Sequence, residues 1–329
     1  MSKVTVPDLR DRKGGEPIVM VTAYDAPGAR LADAAGVDAI LVGDSVAMVV
    51  LGYDDTLQVT VDDIVHHTAA VGRVSPRALV VADLPWLSYH TGVADAVRNA
   101  GRLVRAGAEA VKLEGGRKRL PVVEALIDAE IPVVGHLGLT PQSVLAMGGF
   151  RVQARATDAI GQMVDDARAL ADAGCFAIVL EGVPVEVGRL VTSAIDVPTI
   201  GIGAGPHCDG QVLVLHDVLG MAVGTERTPK FVRRYASLGQ SGVDALGSWA
   251  SDVRARAFPS DDECYHLPPE VAGALDGLAA TLVQATPPPF QATPPAAELT
   301  RLRPAAGDDG DDGEGGDAPW YPARSRSAG

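Results

Sequence analysis

Residues 103–114 read LVRAGAEAVKLE, and the same order of features stands at residues 31–44 (LADAAGVDAILVGD) and 170–181 (LADAGCFAIVLE). Each copy is an Ala-rich helix end, a glycine, a short β-prone run and an acidic residue. Gly36, Gly107 and Gly174 suit the left-handed position at which a helix stops, so the unit reads helix, turn, strand, acid. A unit repeated in this way belongs to folds that alternate strands with helices.

The flanking sequence extends the pattern. Val93, Val97, Ala100 and Val104 fall at i, i+4, i+7 and i+11, which predicts one apolar stripe facing a sheet. Thr60-Val61-Asp62-Asp63 has the form of a capping box, with Asp in place of Glu, and Thr140-Pro141 sets a capping hydroxyl before a first-turn proline. Strand-like runs lie at 18–23, 39–42, 78–82, 110–113, 132–135, 177–180 and 198–202, with a weaker eighth near 218–223. Units of this kind without an antiparallel stretch predict a parallel sheet covered by helices. Polar residues follow nearly every strand, which favours a closed (β/α)₈ TIM barrel over an open doubly wound sheet, whose functional residues gather at one switch point.

The chain has 329 residues, 47% of them apolar, enough for one barrel of about 250 residues and an appendage. The barrel is expected over residues 1–267. Residues 268–329 hold ten prolines, a duplicated QATPP and an acidic run diluted with glycine, a composition that predicts a largely disordered tail. Within it a short helix is expected over 271–283, and Trp320-Tyr321 is a candidate docking motif. The longest apolar runs fall far short of the ~20 residues that cross a bilayer, and the first twelve residues are too polar for a signal-peptide core. The expectation is a cytoplasmic protein with no membrane partner. Cys175, Cys208 and Cys264 lie far apart with no C-x-x-C spacing, so they read as reduced thiols. A formal charge of −14 repels nucleic-acid phosphate. Such a protein must supply local positive charge to an anionic substrate, from a specific Lys or Arg or from a metal ion.

In a barrel, the residues at the C-terminal strand ends share one pocket. Those positions carry Tyr24 and Asp25, Asp44 and Ser45, Asp83, Lys112 and Glu114, His136, Glu181, and the turn 201–205. Asp44, Asp83 and Glu114 would repel one another in low dielectric unless a cation intervened, and oxygen-only ligands match Mg²⁺. Lys112 could hold a substrate carboxylate, form a Schiff base, or pair with Glu114, which shares its strand face. His136 could bind substrate, donate a proton or close a strand end. Glu181 follows Ile178-Val179-Leu180, where desolvation would raise its pKa toward a general base. The Gly201-x-Gly-x-Gly turn has Pro206 where a dinucleotide fingerprint needs glycine, and reads as a tight turn that admits a ligand to the backbone. His66-His67 reads as helix surface.

These residues closely resemble the ketopantoate hydroxymethyltransferase family. The resemblance is carried by Thr22-Ala23-Tyr24-Asp25, Val42-Gly43-Asp44-Ser45, Ala82-Asp83-Leu84-Pro85, Lys112-Leu113-Glu114-Gly115-Gly116, GHLGLTPQSV at 135–144, Leu180-Glu181 with Val183-Pro184, and 201–205 followed by Cys208-Asp209-Gly210-Gln211. It covers residues 1 to about 267 and implies a barrel of the phosphoenolpyruvate/pyruvate type. The implied reaction transfers a hydroxymethyl group from 5,10-methylenetetrahydrofolate to 3-methyl-2-oxobutanoate, giving 2-dehydropantoate in pantothenate biosynthesis. By the same resemblance Asp44, Asp83 and Glu114 serve Mg²⁺, while Asp44, Ser45, Asp83 and Lys112 contact the 2-oxo acid; His136, from its strand-end position alone, is a further candidate for substrate binding. Glu181 is then the proton acceptor, and the enzyme a cytoplasmic homo-oligomer, commonly a decamer. Val46-Ala47, Asp55 and Gln58 depart from the family's usual Leu-Gly, Ser and Pro. Competing readings are a lyase or mutase of the same superfamily without folate, a metal-free Schiff-base aldolase using Lys112, and a scaffold acting through its tail.

Overall fold

The computed structural model describes residues 2–224 and 228–275. Eight parallel strands, β1 (Ile18–Thr22), β2 (Ala39–Val42), β3 (Leu79–Asp83), β4 (Ala110–Glu114), β5 (Val133–Gly138), β6 (Ala177–Glu181), β7 (Thr199–Ile202) and β8 (Gly210–Leu213), form a closed barrel in sequence order. Helices Ala26–Ala34, Val61–Gly72, Val93–Ala106, Leu120–Asp128, Thr157–Asp172 and Val185–Ala194 lie after β1 to β6 in turn, and a short Leu215–Leu219 follows β8.

Strand periodicity places the chemistry. Side chains alternate between the two faces of a strand, and buried residues divide accordingly. Ile40, Val42, Val80, Ala82, Val111 and Leu113 belong to one apolar cluster. Ala39, Leu41, Leu79, Val81, Ala110, Val134, Ala177 and Val179 belong to the other, which fills the barrel. Following each inward column toward the C-terminal end gives Asp83 after Val81, Lys112 and Glu114 after Ala110, His136 after Val134, and Glu181 after Val179. These polar residues are therefore the top layer of the barrel interior, and the strands run through them rather than ending before them.

The opposite end is plugged by Val4 and Leu9, which pack into the interior cluster. There Asp209, just before β8, ties three segments together. Its Oδ1 accepts from Gly14 N–H (2.9 Å), and its Oδ2 accepts from Lys13 Nζ (2.9 Å), Thr199 N–H (2.8 Å) and Thr199 Oγ1 (3.1 Å). Burial opposes the charged form of Asp209, but the N–H donors of Thr199 and Gly14 and the Lys13 ammonium outweigh it and hold its pKa below the ordinary carboxylate value.

Seven strands fall where the periodicity predicts them; the eighth does not. It is Gly210–Leu213 rather than 218–223, whose beginning lies in helix Leu215–Leu219. Gly210 is fixed by space, since a Cβ there would stand 2.5 Å from Ile18 O and 2.8 Å from Ile200 Cδ1. Helix Val93–Ala106 also turns differently: Ala96, Ala100 and Leu103 are buried, while Val93 and Val104 are each 39% exposed. The capping box at Thr60–Asp63 forms as expected. Thr140 does not cap with its hydroxyl; its carbonyl accepts from Ser143 N–H in the 3₁₀ turn Pro141–Ser143. Gly36, Gly107 and Gly174 all have positive φ where helices stop. His66 is exposed, as a surface reading expects, but half-buried His67 bonds through Nδ1 to Tyr24 O at 2.7 Å.

A second compact unit begins at Gly242, and in it Trp249 meets Phe258 edge-on at 6.5 Å between centroids. Helix expected over 271–283 is present through Leu275. The rest of that segment, the remaining tail and Trp320-Tyr321 lie outside the described residues. Cys175 and Cys208 are buried and Cys264 exposed, all as free thiols. No helix among the described residues is long and apolar enough to cross a membrane.

Candidate active site

The C-terminal end of the barrel opens into a cavity lined by Asp44, Ser45, Asp83, Lys112, Glu114, His136 and Glu181, with Met48, Leu139, Phe150 and Val212 among its apolar walls. All seven sequence-predicted residues thus meet in one place. Asp44, Asp83, Lys112, Glu114 and His136 are each at most 4% exposed.

Register explains who touches whom. In the β3–β4 pairing Asp83 stands beside Lys112, and in β4–β5 Glu114 stands beside His136. Neighbouring strands are about 4.8 Å apart, whereas residues two apart on one strand are separated by about 6.6 Å. Lys112 accordingly pairs with Asp83 (Nζ–Oδ1 3.0 Å) and not with Glu114, the partner its own strand suggested. Glu114 Oε1 lies 3.3 Å from His136 Nδ1, and His136 Nε2 lies 3.2 Å from Glu181 Oε2. Lys112 Nζ also approaches His136 Nδ1 at 3.3 Å.

Each of the three buried carboxylates is held through one oxygen by an N–H donor. Asp44 N–H donates to Asp83 Oδ2 at 2.9 Å. Gln142 Nε2 donates to Asp44 Oδ2 at 2.8 Å, and Gln142 N–H to Glu114 Oε2 at 3.0 Å. The opposite oxygens of Asp83 and Glu114, together with His136 Nε2, meet their neighbours as charge contacts without an aligned hydrogen bond. Among the described residues no group of three His, Cys, Asp or Glu side chains is spaced to enclose a metal ion by itself.

The electrostatics follow from crowding. Burial, then the charges of Asp83 and Glu114, raise the Asp44 pKa well above the ordinary value, against the pull of Lys112 and Gln142. Burial also raises Asp83, although Lys112 and the Asp44 N–H oppose it. For Lys112, burial favours the neutral amine, but Asp83, Asp44 and Glu114 overcome it and keep the ammonium protonated. Burial and the Lys112 charge work against a charged His136, yet its contacts with Glu114 and Glu181 raise it to about 9.

Tyr24 and Asp25, expected near the pocket, have other partners. Tyr24 OH is 2.8 Å from Ser45 Oγ, and Asp25 caps a helix through Gly28 N–H. In the 201–205 turn, a Cβ on Gly203 would meet Phe231 at 3.0 Å and one on Gly205 would meet Val185 at 2.4 Å, so side-chain packing already fills the approach that was expected for a ligand. The departures at Val46 and Ala47 are buried in the short helix Val46–Val49 beside the pocket, and Asp55 Oδ1 accepts from Leu57 N–H at 2.8 Å.

Two site residues escaped the sequence reading, Gln142 and Tyr89. Tyr89 OH donates to Gln142 Oε1 at 2.7 Å, and both side chains are buried. The one available signal was that Gln142 stands inside the GHLGLTPQSV segment.

Residues 3–261 match the family model described as ketopantoate hydroxymethyltransferase. The chain is 54% identical over 276 residues to the 3-methyl-2-oxobutanoate hydroxymethyltransferase 2 of Bradyrhizobium diazoefficiens, covering 84% of this chain and 94% of that protein. It is 56% identical over 266 residues to the 3-methyl-2-oxobutanoate hydroxymethyltransferase of Moorella thermoacetica, covering 80% and 98%. Among solved structures, 2,3-dimethylmalate lyase, a member of the PEP mutase/isocitrate lyase superfamily, aligns with a TM-score of 0.51 at 20% identity over 87% of this chain and 100% of that one, a likeness of fold. With a barrel of that kind and a family match over most of its length, the chain belongs to the ketopantoate hydroxymethyltransferase family.

Proposed function

We propose that this pocket transfers a hydroxymethyl group from 5,10-methylenetetrahydrofolate to 3-methyl-2-oxobutanoate, forming 2-dehydropantoate with the aid of Mg²⁺. The observation that carries the reading is the meeting of Asp44, Asp83 and Glu114 around Lys112 in one buried cavity. The donor set fits the ion: carboxylates whose pKa is raised by burial first and by neighbouring charge second are relieved by a cation, and Mg²⁺ commonly takes one or two carboxylates, with waters and substrate completing its shell. Asp44 and Asp83 would hold it, with Glu114 close by. Bound there, Mg²⁺ would supply Lewis acidity toward the keto group.

The chain's own residues do the rest. Lys112, kept protonated, offers the positive charge that an acidic protein needs for a substrate carboxylate, and a protonated amine is no Schiff-base nucleophile. Ser45 offers a hydroxyl, and Met48, Leu139 and Phe150 give the isopropyl group an apolar wall. Glu181 accepts the C3 proton. His136, in charge contact with both Glu114 and Glu181, stands beside that carboxylate and steadies it. The carbon freed at C3 then bonds to the one-carbon unit of the folate, whose two carbon–nitrogen bonds break as a water supplies the hydroxyl oxygen and tetrahydrofolate leaves with the protons. The same reading places the enzyme in the cytoplasm as a homo-oligomer.

Deuterium exchange at C3 of 3-methyl-2-oxobutanoate, followed by NMR in heavy water, tests this. Metal-dependent exchange that disappears in Glu181→Gln is expected. Exchange that persists in that variant removes Glu181 as the base, and exchange untouched by chelation removes the metal.

A further inference from the structure

Gln142 stands at the centre of the carboxylate cluster, is 5% exposed, and has no part in the roles assigned above. Its amide can face only one way. Two acceptors, Asp44 Oδ2 (2.8 Å) and Leu84 O (3.0 Å), surround the nitrogen, while the Tyr89 hydroxyl donates to the oxygen at 2.7 Å. Its backbone is committed as well. Gln142 lies in the first turn after Thr140, where an N–H has no acceptor within the helix, and that N–H donates instead to Glu114 Oε2 at 3.0 Å. One residue therefore ties down an oxygen of Asp44 with its side chain and an oxygen of Glu114 with its main chain. The third carboxylate, Asp83, is tied in the same manner by Asp44 N–H.

We propose that Gln142, oriented by Tyr89, is a positioning residue for the metal site: by holding one oxygen of Asp44 and one of Glu114 it would disfavour a bidentate grip by either carboxylate, and so favour a small octahedral cation over a larger one. This rests on the Mg²⁺ reading above. The physical reason is that Ca²⁺ uses bidentate carboxylates and loose, high coordination, whereas Mg²⁺ requires single oxygens in near-ideal octahedral places. A carboxylate oxygen held by a directed hydrogen bond resists the rotation that would bring both oxygens onto one ion, so a bidentate grip is disfavoured. Freed from Gln142, Asp44 would turn more easily.

The test uses the full-length, substrate-free protein with Mn²⁺ as the probe, free Mn²⁺ being read by electron paramagnetic resonance and displaced by Mg²⁺ or Ca²⁺. Gln142→Met keeps the backbone N–H and the side-chain bulk but removes the amide. It is expected to bind Mn²⁺ about 10- to 100-fold more weakly, the usual cost of losing an outer-sphere partner. Its preference for Mg²⁺ over Ca²⁺ should fall by about 10-fold, a change in ratio that general loosening of the fold would not give. Tyr89→Phe removes one neutral hydrogen bond and should give a weakening of about 2- to 10-fold in the same direction. It carries the test if Gln142→Met fails to fold. Unchanged Mn²⁺ affinity in the folded variants, or weakening with an unchanged Mg²⁺ to Ca²⁺ ratio, overturns the inference and leaves the Mg²⁺ reading standing. Absence of Mn²⁺ binding by the wild-type chain overturns both.

Discussion

Two lysine–aspartate pairs sit at opposite ends of the same barrel, with nearly equal separations and opposite chemistry. At the N-terminal end Lys13 and Asp209 are 2.9 Å apart, and both oxygens of the Asp209 carboxylate accept from N–H or O–H donors. Its pKa falls. At the C-terminal end Lys112 and Asp83 are 3.0 Å apart, but burial, with the nearby charge of Glu114 added to it, outweighs Lys112 and the Asp44 N–H, and the pKa of Asp83 rises. The lower cluster is satisfied and holds segments together. The upper one crowds more carboxylates than Lys112 can pair with, and a bound cation would relieve them.

If that contrast is right, substitutions at the two ends must separate activity from stability. The largest effect is expected from Asp44→Asn, which should lower kcat/KM by on the order of 10³ through loss of a metal ligand. In chelator-treated protein its Tm should hold or rise, because one of three crowded buried charges is gone; a clear fall in Tm would break the comparison. Lys112→Met comes next. It should lower kcat/KM by about 10²-fold and also cost about 3–5 kcal/mol in denaturant unfolding, since Asp83 is left buried and unpaired.

At the lower end the signs reverse. Asp209→Asn should leave kcat/KM within about 2-fold but cost about 1.5–3 kcal/mol at pH 7, the worth of hydrogen bonds to a charged group. Because the folded pKa of Asp209 lies below its unfolded value, its contribution is complete above the ordinary carboxylate range and is lost as pH falls through the folded value. Unfolding curves of wild type and variant should therefore converge in acid; a constant gap would assign the loss to packing instead. The smallest effect is Lys13→Gln, about 1 kcal/mol or less and reduced by salt, because Lys13 is partly exposed.

Much of this was legible in the sequence, and the rest was hidden for identifiable reasons. The repeated helix–glycine–strand–acid unit announces the barrel, and alternation along β3 to β6 brings Asp83, Lys112, Glu114, His136 and Glu181 to one end. β8 was misplaced because Gly210-Gln211-Val212-Leu213 lacks an apolar run, its glycine being demanded by Ile18 and Ile200 rather than by strand propensity. Hydropathy alone favours a stripe through the valines of helix Val93–Ala106, but the closest packing admits the small Ala96 and Ala100. Of the readings open for Lys112, the pairing with Glu114 gives way to Asp83, because partners across strands depend on register, which a single strand does not encode. Gln142 was invisible for a related reason: its importance comes from Asp44, 98 residues away.

The closing seam of the barrel has a consequence for how the molecule is made. β1 pairs with β8, Ile18 opposite Gly210, so the earliest strand to leave the ribosome must wait for the latest before the cylinder can shut. Until then the growing chain can assemble adjacent strands in order, but its interior has an open flank, and the acids of β3 and β4 face water that later departs. Contacts so distant along the chain slow folding, and here the pairing that spans the greatest length of chain is the one that closes the wall around the pocket.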